Sequence, residues 1–390
     1  MKKLAALLMS LVMIVCLLGG CSGNKKGSED DSIKIGFVGP LTGDSQPWGE
    51  AQLNEIMLCV ENLNANGGVL GRQVELFYYD NRADNIESAN AAKRLIQEDK
   101  VCAILGPNAS GAAIAMASVC DENKVPMIAT NATNPSVTVD DSGSVRPYVY
   151  RVCLIDDQYG AIVANYAYSE MGLRNIAVLY EVGSDYSMGL KNAFTAAFEE
   201  LGGTITTVEG YKTDDVDFRA QLSAIKDTNP DAIFLPALYK QIALATNQAR
   251  DLGEDAIFLG TDSWFNGDVL ELSAASVEGA VFTAAMDTEN EALDGIKEEY
   301  RNAYKEEIDA MGTTGYYGYD AFMVLMAAIE KAGSDDPTAI RDALEGLSGV
   351  QGCVGEVSLN ATTHNTSRTV AIMTVENGAF KTLELYAAKD

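Results

Sequence analysis

Ser110 and Thr133 each stand in a loop directly after a short apolar run. Residues 101–105 (VCAIL) lead into Gly106-Pro-Asn-Ala-Ser-Gly111, and residues 125–129 (VPMIA) lead into Thr130-Asn-Ala-Thr-Asn-Pro135. Apolar runs of this length read as buried parallel strands. A helical stretch, about 112–123, follows the first loop, so its free N–H groups begin near Ser110. At the carboxyl edge of an open parallel sheet, hydroxyls and a helix N-terminus attract small anions. A carboxylate is the natural guest. Caps and turns use the same residue types, so the two hydroxyls alone leave a purely structural reading open.

The other reactive side chains do not assemble into a catalytic motif. The single histidine, His364, sits in a polar Thr-Thr-His-Asn stretch that reads as an exposed loop. There is no GxSxG elbow, P-loop or HExxH. Cys59, Cys102, Cys120, Cys153 and Cys353 lack CxxC or metal-ligand spacing and sit in apolar contexts. They read as buried free thiols, with one bridge conceivable. No cofactor and no metal is expected. An enzyme working with aspartates alone stays open as a competing class.

Alternating elements are needed to position those loops. Strands are expected at 33–38, 74–79, 101–105 and 125–129, with helices at 48–64, 85–98 and 112–123. A second series starts near Tyr159. Its strands are 176–180, 204–211, 232–236, 257–260 and 279–283, with helices at 186–201, 218–228, 240–252 and 268–272. Repeated βα units imply α/β parallel sheets with covered faces, and two series imply two lobes. Helices at 292–310, 315–332 and 337–347 follow. The tail 368–386 reads as a hairpin around Glu376-Asn-Gly378.

The first residues carry an address. Lys2 and Lys3 precede an apolar run, 4–18, which is too short to span a bilayer. Leu18-Gly-Gly-Cys21 places small residues before a cysteine. Residues 1–20 read as a signal peptide, and 21–32 as a polar tether rich in Gly and Ser. With 28 basic and 56 acidic residues the net charge is −28. Such a surface repels nucleic acid and anionic lipid and favours solubility. An anionic ligand group must therefore be held by local dipoles and hydroxyls.

Taken together, these stretches resemble the Leu/Ile/Val-type substrate-binding proteins of ABC importers, over almost the whole chain after the tether. The resemblance is carried by IKIGFVGPLTG near Ile33, NANGGVLGRQVEL near Asn64, ILGPNASGAA near Ile104 and PMIATNATNPSVT near Pro126. VLYEVGSDYSMGL near Val178, DAIFLPALY near Asp231, FLGTDSW near Phe258 and GYDAF near Gly318 add to it. Their order and number carry more weight than any one of them. LGGC resembles a lipobox, which implies acylation at Cys21 and attachment to the outer face of the cell membrane. The implied fold is that of type I periplasmic binding proteins: two Rossmann-like lobes joined by three crossovers, here near Arg151, Ala284 and Glu356. The lobes would be 33–152 plus 285–355 and 153–284 plus 356–390, closing like a hinge.

The resemblance also implies a site. Ser110 and Thr133 would bind the ligand carboxylate. Loop residues Asn131 and Ala132 would lie beside the ligand, with the Asn131 carbonyl helping its ammonium. Asp262, in Gly260-Thr-Asp-Ser263, would take the ammonium from the opposite lobe, a role open to a lone loop carboxylate that stays charged. As an isolated residue it equally suits a turn. Trp48 and Tyr186 would wall the side-chain pocket, with Tyr319 a further wall. Leu238 stands where relatives often carry an aromatic ring, and Asn131 where smaller residues are common. The implied function is delivery of amino acids, branched-chain ones first, to ABC permease subunits by a monomeric receptor. Relatives that bind aromatic acids, amides or urea-like compounds supply the alternative ligands, and a ligand-sensing module the alternative role.

Overall fold

The computed structural model describes residues 31–387. The expected signal peptide and Cys21 lie outside the described residues. The chain is organised by two sheets. The first is built from β1 (Ile33–Gly39), β2 (Val74–Asp80), β3 (Ala103–Leu105), β4 (Met127–Ala129) and β5 (Val149–Arg151), in the order β2-β1-β3-β4-β5. All its neighbouring pairs are parallel. Alternate residues of β1 feed different layers: Ile33, Ile35 and Phe37 pack against one set of helices, and Val38 against the other. Three connecting helices cover these faces: α1 (Gln46–Ala65), α2 (Asn85–Arg94) and α3 (Ser110–Asn123). Pro47 lies in the first turn of α1, where its fixed φ is suited and its missing N–H costs nothing.

From β5 the chain enters α4 (Asp156–Asn165) and builds a second sheet. Its parallel part comprises β6 (Asn175–Glu181), β7 (Thr204–Tyr211), β8 (Ala232–Phe234), β9 (Ile257–Gly260) and β10 (Val281–Ala284), in the order β7-β6-β8-β9-β10. This repeats the winding of the first sheet. The intervening helices are α5 (Asp185–Glu200), α6 (Arg219–Lys226), α7 (Tyr239–Asp251) and α8 (Gly267–Ser273). The chain then returns to the first sheet, where α9 (Asp294–Tyr304), α10 (Thr314–Ala332) and α11 (Pro337–Leu344) follow. α10 packs along α1 and supplies Tyr317, Ala321 and Leu325 to the core under the first sheet. A small pair, β11 (Val350–Gln351) and β12 (Glu356–Val357), leads back once more. The antiparallel hairpin β13 (Thr369–Glu376) and β14 (Ala379–Ala387) completes the second sheet on β10. Asn377 and Gly378 both have positive φ, as a tight hairpin turn requires.

Three expectations are corrected. The helix expected over 292–310 is a short 3₁₀ turn (Glu291–Leu293) and then α9, which stops where Lys305 turns left-handed at φ 63°. The helix begun at Pro337 ends at Leu344 rather than 347. His364 is buried, not exposed: its ring stacks on Tyr150 at 4.2 Å, and its Nδ1 lies 3.0 Å from the Val149 carbonyl oxygen. The five later cysteines are free and buried, as their apolar contexts imply.

Candidate functional site

Both sheets follow a 2-1-3-4-5 type of winding, in which the two sides of the sheet diverge beside the first strand. In such sheets ligands bind beyond the carboxyl ends of the strands at that divergence. A cavity of about 310 Å³ lies there. The first half contributes Pro40 and Ser45 after β1, Asn108 to Ala112 after β3 and Asn131 after β4. The second contributes Glu181 and Tyr186 around the start of α5, Leu238 after β8, and Asp262 and Ser263 after β9.

The loop after β3 turns sharply into the cavity. Gly106 has φ 87°, and a Cβ there would lie 2.4 Å from the Val38 carbonyl oxygen, so only glycine fits. The helix α3 then starts at Ser110 behind Ala109, which supplies no side-chain cap. Its first-turn residues Ser110, Gly111 and Ala112 line the cavity. The uncapped N–H groups therefore face the ligand space, where an anion is stabilised. Ser110 Oγ accepts the Asn134 backbone N–H at 3.2 Å, which leaves its own proton to donate. At Gly111 a Cβ would lie 2.9–3.0 Å from the ends of the Asn85 and Asp185 side chains, which would have to shift to admit it.

Across the cavity, Asp262 is only 7 % exposed. Burial raises its carboxyl to about 6, against hydrogen bonds from Tyr186, the Asn131 side chain and backbone N–H groups that favour the charged form. Tyr186 donates its hydroxyl to Asp262 Oδ1 at 2.9 Å. Burial and the neighbouring carboxylate push that hydroxyl well above its usual range, so it stays protonated. None of the residues described as lining the cavity is Lys, Arg or His. A buried carboxylate without a cation is electrostatically suited to an ammonium.

Of the expected residues, Ser110, Asn131, Asp262, Trp48, Tyr186 and Leu238 come together on this cavity. Ala132, Thr133 and Tyr319 are not among its lining residues. The Ala132 carbonyl accepts from Arg151 Nη1 at 2.8 Å, and the Thr133 hydroxyl is buried without a hydrogen-bond partner. Tyr319 packs instead among α1 and α10 core residues. Trp48 meets Tyr239 edge-on at 5.2 Å, so the ring after Leu238 is the one that closes against it. Lys240, one residue on, pairs with Asp44 at 2.6 Å. The sequence reading missed Phe265, Asn108, Asn85, Glu181 and Asp185 as lining residues. Each lies at or just beyond the carboxyl end of a strand or at a helix start, which is the signal that finds them.

Two wound α/β sheets that share a ligand cavity at their carboxyl edges define a solute-binding protein. Residues 32–379 match the model of the periplasmic binding protein family, and the chain belongs to that family of extracytoplasmic binding proteins. It is similar in structure to a leucine-binding protein of Thermotoga maritima, with 35 % identity, a TM-score of 0.82, and coverage of 91 % of this chain and 99 % of that one. The branched-chain amino acid transporter substrate-binding protein of Streptococcus pneumoniae, in complex with isoleucine, gives the same TM-score and coverage at 28 % identity. A Leu/Ile/Val-binding protein homolog of Brucella melitensis is 28 % identical over 354 residues, covering 90 % of this chain and 94 % of the relative.

Proposed function

We propose that this chain captures an aliphatic amino acid, leucine, isoleucine or valine best, and hands it to the permease subunits of an ABC importer. The observation that carries this is the polarity of one cavity. An uncapped helix end with Ser110 lines one side, and the buried Asp262 carboxylate lines the other. An amino acid zwitterion matches that pair: its carboxylate suits the helix end and its ammonium suits Asp262. Trp48, Leu238 and Phe265 add apolar wall for a side chain. The ligands in the names of the relatives reported above support the same class.

In this reading the protein works extracytoplasmically as a monomer, tethered to the membrane by lipid on Cys21. Its lobes are 33–152 plus 285–355 and 153–284 plus 356–390, and they close over the ligand about the three crossovers. No chemistry is done on the ligand. Calorimetry on Asp262→Ala tests the central contact. Removing one partner of a desolvated charge pair costs roughly 2–5 kcal/mol, so leucine binding should weaken by that amount. Unchanged leucine affinity would remove the ammonium role and favour a ligand without an amine.

A further inference from the structure

We infer that the Asn134 side chain is a closure latch, a positioning residue that fastens the Ser110 region to the start of α5 across the cavity and so slows release of the bound ligand. This rests on the proposed reading of the cavity as an amino-acid site between lobes that close.

Asn134 follows β4 of the first sheet, and Asp185 opens α5 beside the second. Each hydrogen-bonding arm of Asn134 has its own task. Its backbone N–H donates to Ser110 Oγ at 3.2 Å. Its Oδ1 accepts the Ser136 N–H at 2.9 Å and caps the 3₁₀ turn Pro135–Val137. Both bonds stay within the first half and fix where the side chain stands. Its Nδ2 then donates to the Asp185 carbonyl at 2.7 Å, on the other half. Asn134 is thus one bond from the hydroxyl proposed to hold the ligand carboxylate, and one bond from the opposite lobe.

The surroundings permit this close approach. A Cβ at Gly189, one turn further along α5, would lie 2.8 Å from Asn134 Nδ2, so the glycine leaves the amide its room. A Cβ at Gly111, in the first turn of α3, would lie 3.0 Å from Asp185 Oδ2. The N-terminal ends of α3 and α5 therefore meet here, and the Asp185 carboxylate offsets their like partial charges. Two other contacts across the cavity are of a different kind. Lys240 and Asp44 pair through side chains that are 41 % and 82 % exposed, and such pairs contribute little. Trp48 and Tyr239 meet edge-on as rings. Asn134 is only 9 % exposed, so its bond is shielded from water. Opening of the lobes must break that bond, whereas entry of a ligand into an open cleft need not. Its effect therefore falls on release rather than on capture.

The test is stopped-flow tryptophan fluorescence with leucine on wild type, Asn134→Ser and Asn134→Asp at neutral pH. Trp48 meets Tyr239 of the other half, so its emission reports closure. Both variants keep an oxygen for the Ser136 N–H and lose the amide donor. Asn134→Ser should speed leucine release about two- to tenfold, as loss of one intramolecular hydrogen bond does. The near-isosteric Asn134→Asp should speed it more, because its carboxylate faces the Asp185 carbonyl oxygen. Association should stay within about twofold of wild type, and the melting temperature of the unliganded protein should not fall. A residue that merely packs its loop would lower that melting temperature and slow capture as much as it speeds release. Release rates unchanged in both variants, or losses confined to association and unliganded stability, would overturn the latch. A wild type that binds no amino acid would overturn the amino-acid reading and the latch together, whereas wild-type binding with unmoved release in the variants overturns the latch alone.

Discussion

In the proposed reading, Asp262 meets the ligand ammonium through a compromise between burial and donation. Burial raises its carboxyl to about 6, while Tyr186 and Asn131 keep it from going higher. It is therefore mostly charged at pH 7 and can pair with an ammonium. The sign of the pH effect follows: leucine affinity should hold at neutral pH and fall as pH drops through about 6, when the carboxyl takes up its proton. Calorimetry at fixed salt across that range checks this, and a flat profile would show that the carboxylate is not the partner. The places of Ser110 and Asp262 on the cavity lining were legible from residue type, neighbours and the resemblance, because strand-end loops keep their place relative to the sheet. The aim of a side chain was less legible. Thr133 lies within a few residues of Asn131, yet it is not among the residues that line the cavity, and its buried hydroxyl has no hydrogen-bond partner. His364 misled for a related reason. Its neighbours Thr362, Thr363 and Asn365 are polar, but a φ of 57° carries its ring onto Tyr150, a contact no local pattern announces.

Element by element, the long strands and helices announced themselves, and the short links between the sheets did not. β6, β7 and β9 are apolar or β-branched runs bounded by polar turns. β5 has only three residues, and α4 begins with Asp156-Asp157-Gln158, which gives little apolar period to read. The return from α10 to β13 is held by a buried ion pair that sequence spacing cannot show. Arg368 Nη2 lies 2.5 Å from Asp320 Oδ2, and Asp320 Oδ1 accepts the Cys353 backbone N–H at 2.8 Å. Gly352 leaves room for this carboxylate, since a Cβ there would sit 2.7 Å from Asp320 Oδ1. Asp320→Ala leaves Arg368 charged and buried without its partner. Loss of one member of a buried pair costs about 3–5 kcal/mol. Denaturant unfolding should show a drop of that size, with the ligand preference of any remaining folded protein unchanged. A drop no larger than that of an exposed substitution would mean the link is held by packing alone.

For the whole molecule, contacts already join the two halves. Lys240 pairs with Asp44, Trp48 meets Tyr239, and Asn134 Nδ2 donates to the Asp185 carbonyl at 2.7 Å. If the lobes open about the proposed hinge, these contacts must break, and closure must remake them. A ligand shifts that balance only by binding the closed state better than the open one. Small-angle scattering should therefore give a smaller radius of gyration with saturating leucine than without, and an unchanged radius would speak for a rigid module. The most direct test of the central claim is a calorimetric panel on the wild-type protein, with leucine, alanine, glutamate and benzoate under one condition. Each buried methylene contributes about 0.8 kcal/mol, so leucine should exceed alanine by roughly two decades on the same scale. Glutamate and benzoate should bind more weakly than leucine, because none of the described residues lining the cavity is a cation for a second carboxylate and benzoate has no ammonium for Asp262. Tighter binding of glutamate or benzoate than of leucine would contradict the account.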